Sequence, residues 1–97
     1  MKIRKVSYLK KVLKKKGFTL FPEKNHHGYY YLVVDGKKSS IYTYFSHGKE
    51  EYGIPLMQSV KRQLKFKDSK TAEAFFDCPL SMEQYIKLLE EQGDLLR

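Results

Sequence analysis

The sequence predicts an α+β two-layer sandwich, a three-stranded antiparallel sheet with every helix on one of its faces. Three observations predict it. Three β-rich stretches follow one another with short connections, which makes an antiparallel meander. Stretches with apolar residues at helical spacing flank this block on both sides. No helical stretch lies between the strands, so no helix can serve as a parallel crossover. The 97 residues suit one domain with one modest core.

The first helix is marked by Val6, Leu9, Val12 and Leu13, which form one apolar stripe, while Lys10, Lys11, Lys14 and Lys15 occupy the other side. Ser7 is the expected N-cap and Gly17 the expected stop. The terminal lysines suit the negative end of the helix dipole. Phe18 to Phe21 reads as a short strand ended by Pro22. Tyr29 to Val34, then Asp35-Gly36, then roughly Lys38 to Phe45 reads as a hairpin. Asp-Gly supplies the positive φ angles of a type I′ turn, and the flanking Tyr, Val, Ile and Thr favour strands. Alternation puts Ile41, Thr43 and Phe45 on one face and Tyr42 and Tyr44 on the other.

Residues 46–53 form a polar loop. Pro55 suits the first turn of a second helix, with Leu56, Met57, Val60 and Leu64 buried and Lys61, Arg62 and Lys65 outside. Ser69 is the expected cap of a third helix carrying Ala72, Phe75 and Phe76. Ser81-Met82-Glu83-Gln84 is a capping box for a fourth, with Leu80 and Tyr85 placed as its hydrophobic staple. That helix buries Met82, Tyr85, Ile86 and Leu89 and ends near Gly93. The order is α-β-β-β-α followed by two short helices. Residues 1–66 form the core unit, and 67–97 a helical extension packed on the same single domain.

Composition narrows the function. The single Cys78 excludes an internal disulfide and fits a reducing compartment. The basic N-terminus is not followed by an apolar stretch, so no signal peptide is expected. The longest apolar run, Tyr29 to Val34, is far too short to span a bilayer. A cytoplasmic protein with no membrane partner is expected. The whole net charge of +8 sits in residues 1–16, where eight lysines and arginines meet no acid. Beyond them, 11 basic and 11 acidic groups cancel. A localised basic face attracts polyanions, of which nucleic acid is the foremost. The plainer reading is a solubilising lysine face.

Two kinds of residue then bear on chemistry. Histidine takes and returns a proton near neutral pH, and His26-His27 open the predicted hairpin. Extended neighbours point to opposite faces, so this pair suits a metal poorly, and no metal or cofactor is expected. In the meander the start of the second strand lies beside the end of the third, which brings His27 near His47. One histidine can accept the proton of a ribose 2′-hydroxyl while another protonates the leaving 5′-oxygen, with lysines stabilising the phosphate. The plainer reading is surface loop histidines. Tyr29-Tyr30-Tyr31 place rings on both sheet faces. Outer rings can stack on unpaired bases, worth about 1–3 kcal/mol per base, or simply pair across strands. No CxxC, HExxH, phosphate loop or nucleophile elbow is present in the sequence. Cys78 before Pro79 reads as a small buried hydrophobe, and Glu50-Glu51 and Glu90-Glu91 as solvated faces.

The stretch Ser7-Tyr8-Leu9-Lys10-Lys11-Val12-Leu13-Lys14-Lys15-Lys16-Gly17-Phe18, a spacer, then His27 and Tyr29-Tyr30 resembles the HicA type of toxin over roughly residues 7–66. The resemblance implies a double-stranded-RNA-binding-domain-like fold, mRNA interferase activity without a metal, and a HicB-like antitoxin as protein partner. The family's catalytic histidine matches His27, with His26 one position away; Thr43 with Ser46-His47-Gly48 matches the end of the third strand, where relatives often carry a histidine. The family usually has Gly-Ser where this chain has Asn25-His26, and residues 67–97 exceed the short toxin.

The expectation is therefore a HicA-like RNA-binding endoribonuclease. His27 is its proton-transfer residue, with His47 or His26 as helper. Lys10, Lys11, Lys14, Lys15 and Lys16 hold phosphates, and Tyr29 and Tyr30 meet the RNA. One alternative is a non-catalytic RNA-binding domain of the same fold. Another is a protein-interaction module, because Tyr85, Leu88, Leu89, Leu95 and Leu96 exceed one buried stripe and suggest a homodimer surface.

Overall fold

The computed structural model describes residues 1–22, 28–46, 48–77 and 79–96. The elements run β1 (Arg4–Lys5), α1 (Val6–Lys15), β2 (Phe18–Pro22), β3 (Gly28–Val34), β4 (Lys37–Tyr44), β5 (Glu51–Tyr52), α2 (Ile54–Gln63), α3 (Ser69–Phe76) and α4 (Met82–Gln92). The expected α+β class holds, with a three-stranded antiparallel sheet ordered β2-β3-β4 and four helices. A second, two-stranded sheet pairs β1 with β5 and lay outside the expected plan.

That small ribbon changes how α1 begins. Arg4 pairs with Tyr52 and Lys5 with Glu51, and the ladder ends with the Val6 N–H donating to the Glu50 carbonyl at 2.8 Å. One orphan donor of the first turn is thereby satisfied by a distant backbone carbonyl. Ser7 consequently lies inside the first turn instead of capping it, and Lys5 at the N-cap makes no side-chain cap bond. At the other end Gly17 has φ +94°, as expected for a left-handed stop. A Cβ on Gly17 would come within 2.5 Å of Met82 Cε, so the same glycine also admits α4.

The hairpin turn matches its sequence. Asp35 and Gly36 have φ of 53° and 76°, and Val34 pairs with Lys37. Along β3, Tyr30, Leu32 and Val34 are buried, as are Ile41 and Thr43 of β4 and the following Phe45. Tyr29 and Tyr31 share the opposite face with Tyr42 and Tyr44. Opposite Tyr31–Val33, β4 is irregular. Tyr31 pairs with Tyr42 but Val33 with Lys38, so three residues of β4 stand against Leu32 alone. The excess is even, so Lys38 keeps the face of Tyr42 and Tyr44.

The helices cover only the inward face, because their buried residues join Tyr30, Leu32, Val34 and Ile41 in one apolar cluster. Thr43, fully buried, donates its hydroxyl to Gln63 and ties β4 to α2. Pro55 sits in the first turn of α2, as expected. In α3 the cap is Asp68 instead of Ser69. Its carboxylate accepts from the Thr71 N–H at 2.7 Å and from the Thr71 hydroxyl at 3.0 Å. The backbone bond above all holds the Asp68 carboxyl below the ordinary range. The capping box of α4 forms in both halves, Gln84 N–H to Ser81 Oγ and Ser81 N–H to Gln84 Oε1, and Gly93 closes the helix at φ +81°.

The helices α3 and α4 complete the core. Phase by phase along α3 and α4, Phe75, Phe76, Tyr85 and Leu89 are all fully buried. The Tyr85 hydroxyl donates to the Leu64 carbonyl at 2.8 Å, and the Tyr8 hydroxyl to Phe76 at 2.6 Å. The apolar surplus near the C-terminus is largely spent here. Tyr85, Leu89 and Leu95 are buried in this chain's own core and Leu88 is half-buried, which leaves Leu96 exposed. Most of the residues that suggest a dimer surface therefore belong to this chain's own core.

An ion cluster fastens the N-terminus to α3. Buried Arg4 forks onto Glu73, with Nη1–Oε1 at 3.0 Å and Nη2–Oε2 at 3.1 Å, and reaches Asp77 Oδ1 at 2.9 Å. The bond from Arg4 holds the Glu73 carboxyl below its usual range. For Asp77, partial burial pushes upward, but the bonds from Arg4 and Lys2 outweigh it and the net direction is down. Carboxyls depressed in the folded state stabilise it above their unfolded pKa, and that contribution is lost as pH falls through the folded values. Wild type is therefore expected to lose urea resistance below roughly pH 4. Arg4→Met should cost about 1–3 kcal/mol at pH 7, less than breaking a fully buried pair because both carboxylates stay partly wet. Its acid-dependent loss should be shallower than wild type's, which urea titrations across the acid range measure.

Candidate nucleic-acid interface

α1 turns its apolar stripe inward because Val6, Leu9, Val12 and Leu13 recur at three- and four-residue steps. Lys10, Lys11, Lys14 and Lys15 are left on the exposed side. Among the described residues none of these four forms an ion pair; the salt bridges there belong to Lys2 and Arg4. No acid lies in the first turn of α1, while Lys14 and Lys15 lie in its last. The result is a ridge of like charge, open to solvent.

Lys16 departs from the expectation. It is only 4% exposed, its ammonium donates to the Leu80 carbonyl, and it lies 5.5 Å over the Phe75 ring. Position 16 continues the buried stripe, three residues after Leu13 and four after Val12. Its charge is thus spent between α1 and the segment leading into α4, away from any phosphate. Lys16 is a structural lysine.

The two tyrosines also part company. Tyr30 is 4% exposed and packs edge-on against Phe45, with centroids 5.8 Å apart. Burial pushes its phenol pKa up. Its ring belongs to the core and not to the outer face, because alternation sends it inward with Leu32. Tyr29 faces outward and stacks on Tyr44 at 5.2 Å and Tyr42 at 5.5 Å. Tyr31 meets Tyr42 at 5.1 Å and Phe21 edge-to-face at 5.6 Å. The Lys38 ammonium lies 4.0 Å over Tyr31 and 4.8 Å from Phe21. These rings form one aromatic tract across the open sheet face. The sequence signal for Tyr42 and Tyr44 was the alternation along β4. Phe21 and Lys38 escaped it, since their place depends on the β2–β3 register and on the irregularity in β4.

The lysine ridge and the aromatic tract point away from the core from opposite layers of the sandwich, so the expected RNA-contacting residues form two surfaces. His26, His27 and His47 lie outside the described residues. Their described neighbours Gly28 and Ser46 adjoin the same end of the β3–β4 pair, as the pairing of Tyr29 with Tyr44 fixes. Cys78 also lies outside them. Among the described residues, no helix is long and apolar enough to cross a membrane. Comparison with protein-family models, characterised proteins and solved structures finds no match.

Proposed function

We propose that this protein binds RNA and is a HicA-like, metal-independent endoribonuclease. The observation that carries the RNA reading is the ridge of Lys10, Lys11, Lys14 and Lys15 on α1, exposed and without an ion pair among the described residues. A run of solvated ammonium groups at helical spacing neutralises successive phosphates and releases their counterions. The order α1-β2-β3-β4-β5-α2, in which the two-residue β5 pairs with β1 apart from the three-stranded sheet, supports the likeness to a double-stranded-RNA-binding domain through its helix, three-strand meander and second helix. Duplex RNA would then be met by shape, 2′-hydroxyl and phosphate contacts rather than by base edges.

The catalytic half of the reading rests on the sequence around the histidines. His27 accepts the 2′-hydroxyl proton, and His47 or His26 donates one to the 5′-oxygen that leaves. On this reading the protein's partner is a HicB-like antitoxin whose acidic patch covers the α1 lysines. The test is RNA cleavage by purified protein in EDTA, with binding measured in the same buffer. His27→Ala should bind as wild type and cut about 10²–10⁴-fold more slowly. If wild type and variant bind equally and neither cuts, the nuclease half falls and RNA binding stands. If wild type holds no RNA, both halves fall.

A further inference from the structure

We infer that the outer face of the β2-β3-β4 sheet is a second RNA surface, and that it takes unpaired RNA. This rests on the RNA-binding reading for the class of ligand, but it uses a surface that the α1 lysines do not reach. The face is built from Phe21, Tyr29, Tyr31, Tyr42, Tyr44 and Lys38. Centroid separations of 5.1–6.4 Å among the tyrosines, with ring planes within 20–30° of parallel, exceed the contact distance of two stacked planes. The rings are therefore offset like shingles, and Tyr42 and Tyr44 each keep 38% exposure. These partly uncovered rings stand in a row across β3 and β4, where the parts left open can meet planar bases.

Charge chooses the occupant. No Asp or Glu occurs in β2, β3 or β4. Among the described strand residues the cation on this face is Lys38, held over Tyr31 and Phe21, where it can meet a phosphate while a neighbouring base lies against a ring. An aromatic floor with an ammonium group and, among the described strand residues, no carboxylate suits a flexible polyanion that carries planar groups. Duplex RNA does not fit this role, because its bases are already stacked on one another and show the protein only edges and backbone. A second copy of the chain would bring another Lys38 to the same face, a repulsion that single-stranded RNA turns into attraction.

Because the chain has eight tyrosines and no tryptophan, its own fluorescence reports on these rings. The probes are an oligouridylate of about eight nucleotides and a perfectly paired duplex of about 16 base pairs. Oligouridylate should quench tyrosine emission of the wild-type protein. The double variant Tyr42→Ser/Tyr44→Ser should bind it on the order of tenfold or more weakly and bind the duplex as wild type. Tyr42→Phe/Tyr44→Phe should restore single-strand binding, since the ring faces remain. Lys38→Glu should weaken oligouridylate without altering the cooperative unfolding transition, and it keeps the question open to test should the serine variant not fold. If wild type binds both RNAs and neither the serine variant nor Lys38→Glu changes oligouridylate affinity, the sheet face is not an RNA surface, although the lysine ridge still is. If wild type binds neither RNA, the RNA-binding reading itself fails. A concentration-dependent dimer abolished by Tyr42→Ser/Tyr44→Ser would also overturn the inference and assign the face to self-association.

Discussion

Phe75→Ala is expected to destabilise the protein by about 3–5 kcal/mol, the range for deleting a large ring that cannot be replaced by collapse of its surroundings. Phe75 is fully buried and touches four other rings: Tyr85 at 4.9 Å, Phe76 at 5.0 Å, Phe66 at 5.3 Å and Phe18 at 6.4 Å. These come from β2, the α2–α3 connection, α3 itself and α4, so the cavity would open where four parts of the chain meet. A domain of this size has only about 5–15 kcal/mol in total. The variant should show a large fall in the urea midpoint with an unchanged slope, the mark of lost stability with two-state unfolding retained. The same packing predicts that a chain ending at residue 66 does not fold. Removing residues 67–97 would bare Phe18 and Phe66, take the Tyr85 hydroxyl from the Leu64 carbonyl, and leave Arg4 without Glu73 and Asp77. A cooperative unfolding transition from that shorter chain would show that the two parts do not share one core.

Replacing Lys10, Lys11, Lys14 and Lys15 together by glutamine is expected to lower RNA affinity by about 10²–10³-fold near 0.1 M salt. The reason is counterion release: each phosphate contact contributes about 0.7–0.9 to the slope of log affinity against log salt. Four lost contacts should therefore flatten that slope by about 3. Folding should be spared, because the four side chains are exposed and none is ion-paired among the described residues. Glutamine keeps helix propensity close to that of lysine. Lys16→Gln is a useful contrast. Its ammonium is buried against Leu80 and Phe75, so the substitution should cost stability instead of salt-dependent affinity. An unchanged salt slope in the quadruple variant would remove α1 from the RNA interface.

Much of the fold was legible from local pattern, and the misreadings share a cause. The period-2 runs located β3 and β4, the Asp35-Gly36 pair located the turn, and Ser81 with Gln84 located the start of α4. Each is a short-range signal whose physics is complete within a few residues. The misplaced caps were decided at longer range. Ser7 yielded the start of α1 to the Glu50 carbonyl, which reaches it only because β1 meets β5 some 45 residues away in sequence. Asp68 took the cap of α3 from Ser69 one position along, a boundary that two adjacent cap formers leave open. Lys16 looked like one more solvated lysine in a row of three, yet the helical period had already placed it on the buried side.

By itself the sequence determined the α+β class, the meander, the inward and outward faces of β3 and β4, and the concentration of charge on α1. These follow from periodicity, turn chemistry and composition, which act between near neighbours. Only the tertiary structure decided that α3 and α4 complete the core, that Arg4 is bound to α3, and that Lys16 and Tyr30 are buried. It also decided that Phe21, Lys38 and four tyrosines gather into one tract. Those outcomes depend on strand register and on which helix faces which ring, and such contacts are stabilised only once the whole chain has closed around them.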